Sequence, residues 1–299
     1  MKVKPILILS KQLQKYNPKI ITYVHPQTEA FMTNYKMKDE SIPFITYEEG
    51  IQTLSIQVSI PKLLYGNNVQ LLKAEDIPTF FTTFQERIKQ LFDVDIELHE
   101  WKMNRLDVCW NFFVGENVED YIQMFSKQKL PYKHTHCYNH KQTVVFQNKS
   151  SRIIFYDKQA QCEKDKEPAE IIKQAKGILR MEIKPSYHEM KKYSKERRAI
   201  DLLSEAFFTE VTKKTLNELE YFHDTEGMSL HWIRQNKEEI TRIETYLGFQ
   251  QLKNILDETT LKEIYKPATL ANRKNLAKRV CIPKRSYLKR LEIDYNQVN

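Results

Sequence analysis

The chain has 299 residues, 41% of them hydrophobic and 29% charged, the balance of an ordinary globular protein with room for one large or two smaller domains. No apolar run is long enough to cross a bilayer, and six glycines with no G-x-G-x-x-G or G-x-x-x-x-G-K-[ST] motif exclude a glycine-rich phosphate loop. A net charge of +8 and a pI near 9.0 point toward a polyanionic partner, most often nucleic acid.

The first residues contain "ILIL" without a small-residue cleavage site, so no signal peptide is expected. The four scattered cysteines, Cys109, Cys137, Cys162 and Cys281, read as free thiols in a reducing cytoplasm. Residues 53–68 alternate through Leu54, Ile56, Val58 and Ile60, which predicts a half-buried strand ending at a Gly-Asn turn. Phe80, Phe81, Phe84, Ile88 and Leu91 form one stripe of a helix over 77–92. A strand is expected over 103–113, a helix over 118–128, and a hairpin from "TVVFQN" and "RIIFYDK". A charged loop with a short helix precedes a strand at 178–186, and from about Glu196 the chain reads as helical to its end. The predicted class is α+β: a central antiparallel sheet with helices on one face, an RRM- or palm-like core over 1–220, then a helical basic region over 221–299.

Side chains alternate faces along a strand. Arg105, Asp107 and Cys109 therefore share a face, as do Arg152, Ile154, Tyr156 and Lys158, and as do Arg180, Glu182 and Lys184. The opposite faces are apolar and suit the core. Side by side, these strands would pool a phenol, two carboxylates and several cations on one open surface; the plainer reading is a solvated sheet face laced with ion pairs. Two carboxylates on rigid strands suit Mg²⁺ or Mn²⁺, with water and phosphate completing the octahedron. A phenol has an ordinary pKa near 10 and becomes a nucleophile when a metal or lysine favours the phenolate. Lys158, on the same strand face, is placed for that role or to hold a phosphate, while Arg105 and Arg180 would grip flanking phosphates. Asp157 lies on the other face and is left out.

The motifs "SIPKLLYGNN" (59–68), "RLDV" (105–108), "FYDKQ" (155–159) and "LRMEIKPSY" (179–187), in that order, resemble those of rolling-circle replication initiators. The likeness is to filamentous-phage gene II-type replication proteins and, more distantly, to trans-acting plasmid Rep proteins. It spans about 54–190 and is poor in the C-terminal third. It implies a DNA strand-nicking and strand-joining enzyme of a phage, plasmid or related element. Tyr156 would attack the scissile phosphate, giving a 5′-phosphotyrosine and a free 3′ hydroxyl. Lys158 would stand beside it, and Asp107 and Glu182 would bind the metal. Origin DNA, double- and single-stranded, and a host helicase and polymerase are the implied partners; the oligomeric state stays open, a dimer included.

His134, His136, Cys137 and His140 in "HTHCYNH" form a zinc-like cluster on what reads as a loop, but the spacing matches no common zinc pattern; His134 and His136 remain the alternative metal arrangement. Glu97 and Glu100 are candidates for a third metal ligand. Residues 266–291 carry nine lysines and arginines and no acid, in the manner of two helices joined at "VCIP". Arg273, Lys274, Lys278, Arg279, Lys284 and Arg285, together with Arg105, Arg152, Arg180 and Lys184, are the candidate DNA contacts; Tyr287 reads as packing. The competing class is a non-catalytic single-strand binder, which stacks bases on two or three sheet aromatics where one is expected here. A structural zinc protein is the third option.

Overall fold

Alternating apolar residues build not one sheet but two. A computed structural model describes residues 1–24, 26–139, 142–221, 230–280 and 288–297. The first sheet comprises β1 (Lys2–Val3), β2 (Lys19–Val24), β3 (Phe31–Met37), β4 (Phe44–Glu48) and β5 (Thr53–Gln57), in the order β1-β5-β4-β3-β2. The second comprises β6 (Val108–Phe113), β7 (His134–Tyr138), β8 (Thr143–Gln147), β9 (Arg152–Asp157) and β10 (Ile178–Lys184), in the order β6-β10-β9-β8-β7. Every ladder is antiparallel. The class is thus the expected α+β, with an N-terminal sheet that the strand count did not anticipate.

One core joins the two sheets. The helix Asp76–Phe92 buries the expected stripe, and Phe84 meets Trp101 edge-on at 5.0 Å between centroids. The helix Val118–Ser126 packs beneath the second sheet, where Phe125 lies 4.6 Å from Phe155. The helix Glu205–Glu218 covers the edge strand β6 through Phe208 and Trp110. Each fully buried aromatic here contributes about 1.5–3 kcal/mol.

Several boundaries differ from expectation for local reasons. The strand over 53–68 stops at Gln57, because Pro61 sets the first turn of a helix, Ile60–Tyr65. Gly66 ends that helix at φ 74°, a left-handed conformation that glycine adopts without strain. The strand over 103–113 begins at Val108. "HTHCY" is a strand rather than a loop. Helices are not confined to one face: Cys162 and Ala175, from two helical segments after β9, pack with Val69 and Ile178 at one end of the polar face.

After residue 230 the helices Ile240–Ile255, Glu258–Ile264 and Pro267–Arg279 share a small core of Phe249, Leu261 and Leu270. The chain is not helical to its end. Residues 288–294 are irregular, and Leu291 and Ile293 return to the main core, which thus takes residues from both sides of the expected 220/221 boundary. Tyr121 donates to the Lys289 carbonyl at 2.6 Å and fastens this return. Among the described residues, no helix is long and apolar enough to cross a membrane.

Candidate functional site

Strand register arranges the polar face of the second sheet into three rows. Asn111, Arg180, Tyr156, Thr143 and Tyr138 form the first. Cys109, Glu182, Ile154, Val145 and His136 form the second. Lys184, Arg152, Gln147 and His134 form the third. The expected gathering of Tyr156, Arg180 and Glu182 on one face is therefore present, and Arg152 and Lys184 sit side by side on the same face.

Tyr156 donates its hydroxyl proton to Glu182 Oε1 at 2.7 Å, a diagonal pair across β9 and β10. Burial, then the Glu182 charge, holds the phenol well above its ordinary range. This runs opposite to the expectation that a cation lowers it: the carboxylate is the closer and stronger neighbour. Arg180 is 3% exposed, so as the chain stands it does not reach out to phosphates. Its Nη1 donates to the Asn68 carbonyl at 2.8 Å and to Asn111 Oδ1 at 3.1 Å. Its Nε lies 3.6 Å from Glu182 Oε1, an ion-pair distance rather than a hydrogen bond.

Lys158 is not on the strand face. The strand ends at Asp157, whose carboxylate accepts from the backbone N–H of Gln159 and Ala160 at 2.9 and 3.1 Å, and so caps the helix Lys158–Lys164. Lys158 starts that helix, is 0% exposed, and sits 6.0 Å from the Tyr156 ring centroid. Its Nζ donates to Asn68 Oδ1 at 2.8 Å and Gln161 Oε1 at 2.5 Å. Burial, then the Arg180 charge, pushes its ammonium down to about 8.

Asn68 is the residue that sequence reasoning did not single out, although it closes the "YGNN" motif. Asn67 Oδ1 accepts from the N–H groups of Val69 and Gln70 at 3.0 and 3.2 Å, which shapes the turn. Asn111 Nδ2 then donates to the Val69 carbonyl at 2.7 Å. Lys158, Arg180 and Asn111 thus bind one turn from three directions. The signal in the sequence was the Asn-Asn pair after glycine; its partners lie too far along the chain to be read.

Beside this cluster a cleft of about 630 Å³ opens between the two sheets. Arg105, Asp107, Cys109, Arg180 and Glu182 line it, with Phe44 and Gln57 from the first sheet. Tyr156 and Lys158 do not line it; Tyr156 is joined to it through its hydrogen bond to Glu182. Arg105 grips Asp107 with two hydrogen bonds, of 3.1 and 2.6 Å, just before β6 begins. Burial pushes the Cys109 thiol up to about 11.

The hard carboxylate oxygens of Asp107 and Glu182 could hold Mg²⁺ or Mn²⁺, and Mg²⁺ commonly takes one or two protein carboxylates. Each already has an arginine partner, with which a cation would compete. Among the described residues, no group of three or more His, Cys, Asp or Glu is placed to hold a metal. Glu97 and Glu100 do not line the cleft; Glu100 accepts from the Glu97 N–H at 3.2 Å. His134 and His136 lie exposed on the polar face, strand alternation turns Cys137 the other way, and His140 falls outside the described residues. The face also carries more aromatic surface than expected: Tyr138 is exposed, His136 lies 6.2 Å from it, and Phe113 is exposed at the β6 edge.

Of the C-terminal basic residues, Arg273, Lys274 and Arg279 lie on the helix Pro267–Arg279, and Lys274 pairs with Glu258. The Lys278 side chain, and Lys284, Arg285, Tyr287 and the expected "VCIP" joint from Cys281 onward, lie outside the described residues. A scan against protein-family models finds no match for the chain, and no curated protein matches it.

Proposed function

We propose that this protein nicks and rejoins one strand of DNA through Tyr156, as an initiator of rolling-circle replication. One observation carries the reading. The "YGNN", "FYDK" and "LRME" segments, distant in the chain, converge on a sheet face where the Tyr156 hydroxyl is 2.7 Å from a carboxylate. The order of motifs that resembles replication initiators is thus matched by a spatial cluster. The pI near 9.0 agrees with a polyanionic substrate.

In this reading the Tyr156 oxygen attacks the scissile phosphorus, a P–O bond to the phenol forms, and the P–O3′ bond breaks. The phenolic proton passes to Glu182, and the departing 3′ oxygen takes a proton from water. The reverse attack by a 3′ hydroxyl rejoins the strand. Glu182 is the proton acceptor because its oxygen already receives that hydrogen bond. Arg180, 3.6 Å away, holds Glu182 in place. Mg²⁺ or Mn²⁺, held by Asp107 and Glu182, would stabilise the charge that develops on the phosphate. Arg152 and Lys184 supply an adjacent cationic row for the strand backbone.

A non-catalytic single-strand binder is the second reading, favoured by the exposed Tyr138, His136 and Phe113 on the same face. The test is a covalent-adduct assay on purified protein with Mg²⁺ or Mn²⁺ and DNA of its own replicon. A nucleotide on the peptide containing Tyr156, absent in Tyr156→Phe and in chelator, supports the proposal. A nucleotide on Tyr138 keeps the chemistry and moves the nucleophile about 10 Å, two strands along the same row. No adduct together with tight single-strand binding selects the second reading.

A further inference from the structure

The three helices at 240–279 serve no part of the sheet site. Their core is their own: Phe249, Leu261 and Leu270, flanked by Leu256 and Tyr265, with Phe249 and Tyr265 edge-on at 5.9 Å. The last two helices are joined by a two-residue link. Asp257 Oδ1 accepts from the Thr260 N–H at 2.8 Å and caps Glu258–Ile264. Tyr265 and Lys266 are extended, and Pro267 starts the next helix. This pair, upstream of "VCIP", has the form of a helix-turn-helix resting on a third helix.

The face of Pro267–Arg279 turned away from that core has a specific chemistry. Leu270 is buried, while Ala268, Asn272, Asn275 and Arg279 are exposed. Their spacing of four, three and four residues lays them along one side of the helix. Asparagine offers the donor and acceptor pair that matches the major-groove edge of adenine, and arginine matches guanine. From Lys266 to Val280 the sequence contains no acid, so nothing on this helix repels a phosphate backbone. A merely solvated helix would have no need of paired amides with cations on its flanks.

We infer that Pro267–Arg279 lies in the major groove of duplex DNA and reads base edges through Asn272, Asn275 and Arg279. Arg273 flanks this face and contacts a backbone phosphate. This inference does not rest on the nicking chemistry, since a chain that fails to nick can still read duplex.

The experiment uses the full chain with a library of randomised duplex DNA, selected by binding, at fixed salt. The wild type is expected to enrich a short motif. Asn272→Ala with Asn275→Ala should lose that preference, with about ten-fold less discrimination at each base those residues read, while binding to unselected duplex persists. Arg273→Gln should weaken all duplexes alike and lower the salt slope by about 1. Circular dichroism melts check that the variants fold as the wild type does; both asparagines are exposed. A wild type that enriches no motif, or asparagine variants that select the same motif with the same discrimination, would overturn the inference. Loss of nicking with motif selection intact would instead count against the sheet site alone.

Discussion

The two ends of the second sheet's polar face are made from similar residues and behave as opposites. At the end covered by the "YGNN" turn, Arg180 and Lys158 are buried, and their hydrogen-bond donors are directed at Asn68, Asn111 and Gln161. At the β7 end, His134, His136 and Tyr138 stand in solvent on an edge strand. Burial strengthens electrostatics and shifts proton affinities, whereas exposure leaves rings and cations available to a partner. Under the proposed function, the difference would place chemistry at the covered end and strand binding at the open one.

The largest expected effect tests the covered end. Tyr156→Phe keeps the ring and removes the hydroxyl that bonds Glu182. Nicking and adduct formation should fall on the order of 10³-fold or more, with single-strand affinity nearly unchanged. Affinity lost in step with activity would erase the division between the two ends.

Arg180→Met probes the same end through stability. It leaves the Glu182 carboxylate without its cationic partner and removes donors from the Asn68 carbonyl and Asn111. A loss of about 3–5 kcal/mol in urea unfolding is expected, as for breaking a buried ion pair from one side. Arg152→Met, on the outer row, should stay within about 0.5 kcal/mol. Equal losses would mean that the face is uniformly solvated.

Tyr138→Ala tests the open end. Loss of one stacking ring should weaken single-strand binding by about 1–3 kcal/mol, with the nicking rate at saturating DNA preserved. Tyr138→Phe should restore the affinity. If instead Tyr138→Phe binds normally and fails to nick, the nucleophile belongs at the open end.

How much of this could be read from residues alone depends on the range of the interaction. The face shared by Tyr156, Arg180 and Glu182 follows from period-two alternation, which register preserves. Alternation carried one residue past the strand misplaces Lys158; the signal against it is Asp157, a capping residue before the helix formers "KQAQ". The strand His134–Tyr138 reads as a loop because it has no apolar face to give it a period. The N-terminal sheet is not legible in the sequence because β2 is exposed almost throughout, and its order β1-β5-β4-β3-β2 sets the chain start beside residues 53–57. The grip on Asn68 joins positions 90 and 112 residues apart, which local pattern does not encode.

The smallest effect is a matter of pH at the covered end. Lys158 has a proton affinity lowered to about 8, from burial first and the Arg180 charge second, against an ordinary lysine value near 10.5. Between those values the unfolded chain holds a proton at this site that the folded chain has released. Stability therefore rises with pH across that window, and below about 8 the fold bears the cost of an interior ammonium. Over one pH unit above 8 the gain should be about 1 kcal/mol, and it should be absent from the same titration of Lys158→Met. If the ammonium charge serves the phosphate, nicking falls over the same unit in which stability climbs. Opposite slopes in one protein would place Lys158 in the reaction; a rise in stability with a flat nicking rate would leave it holding Asn68 and the turn.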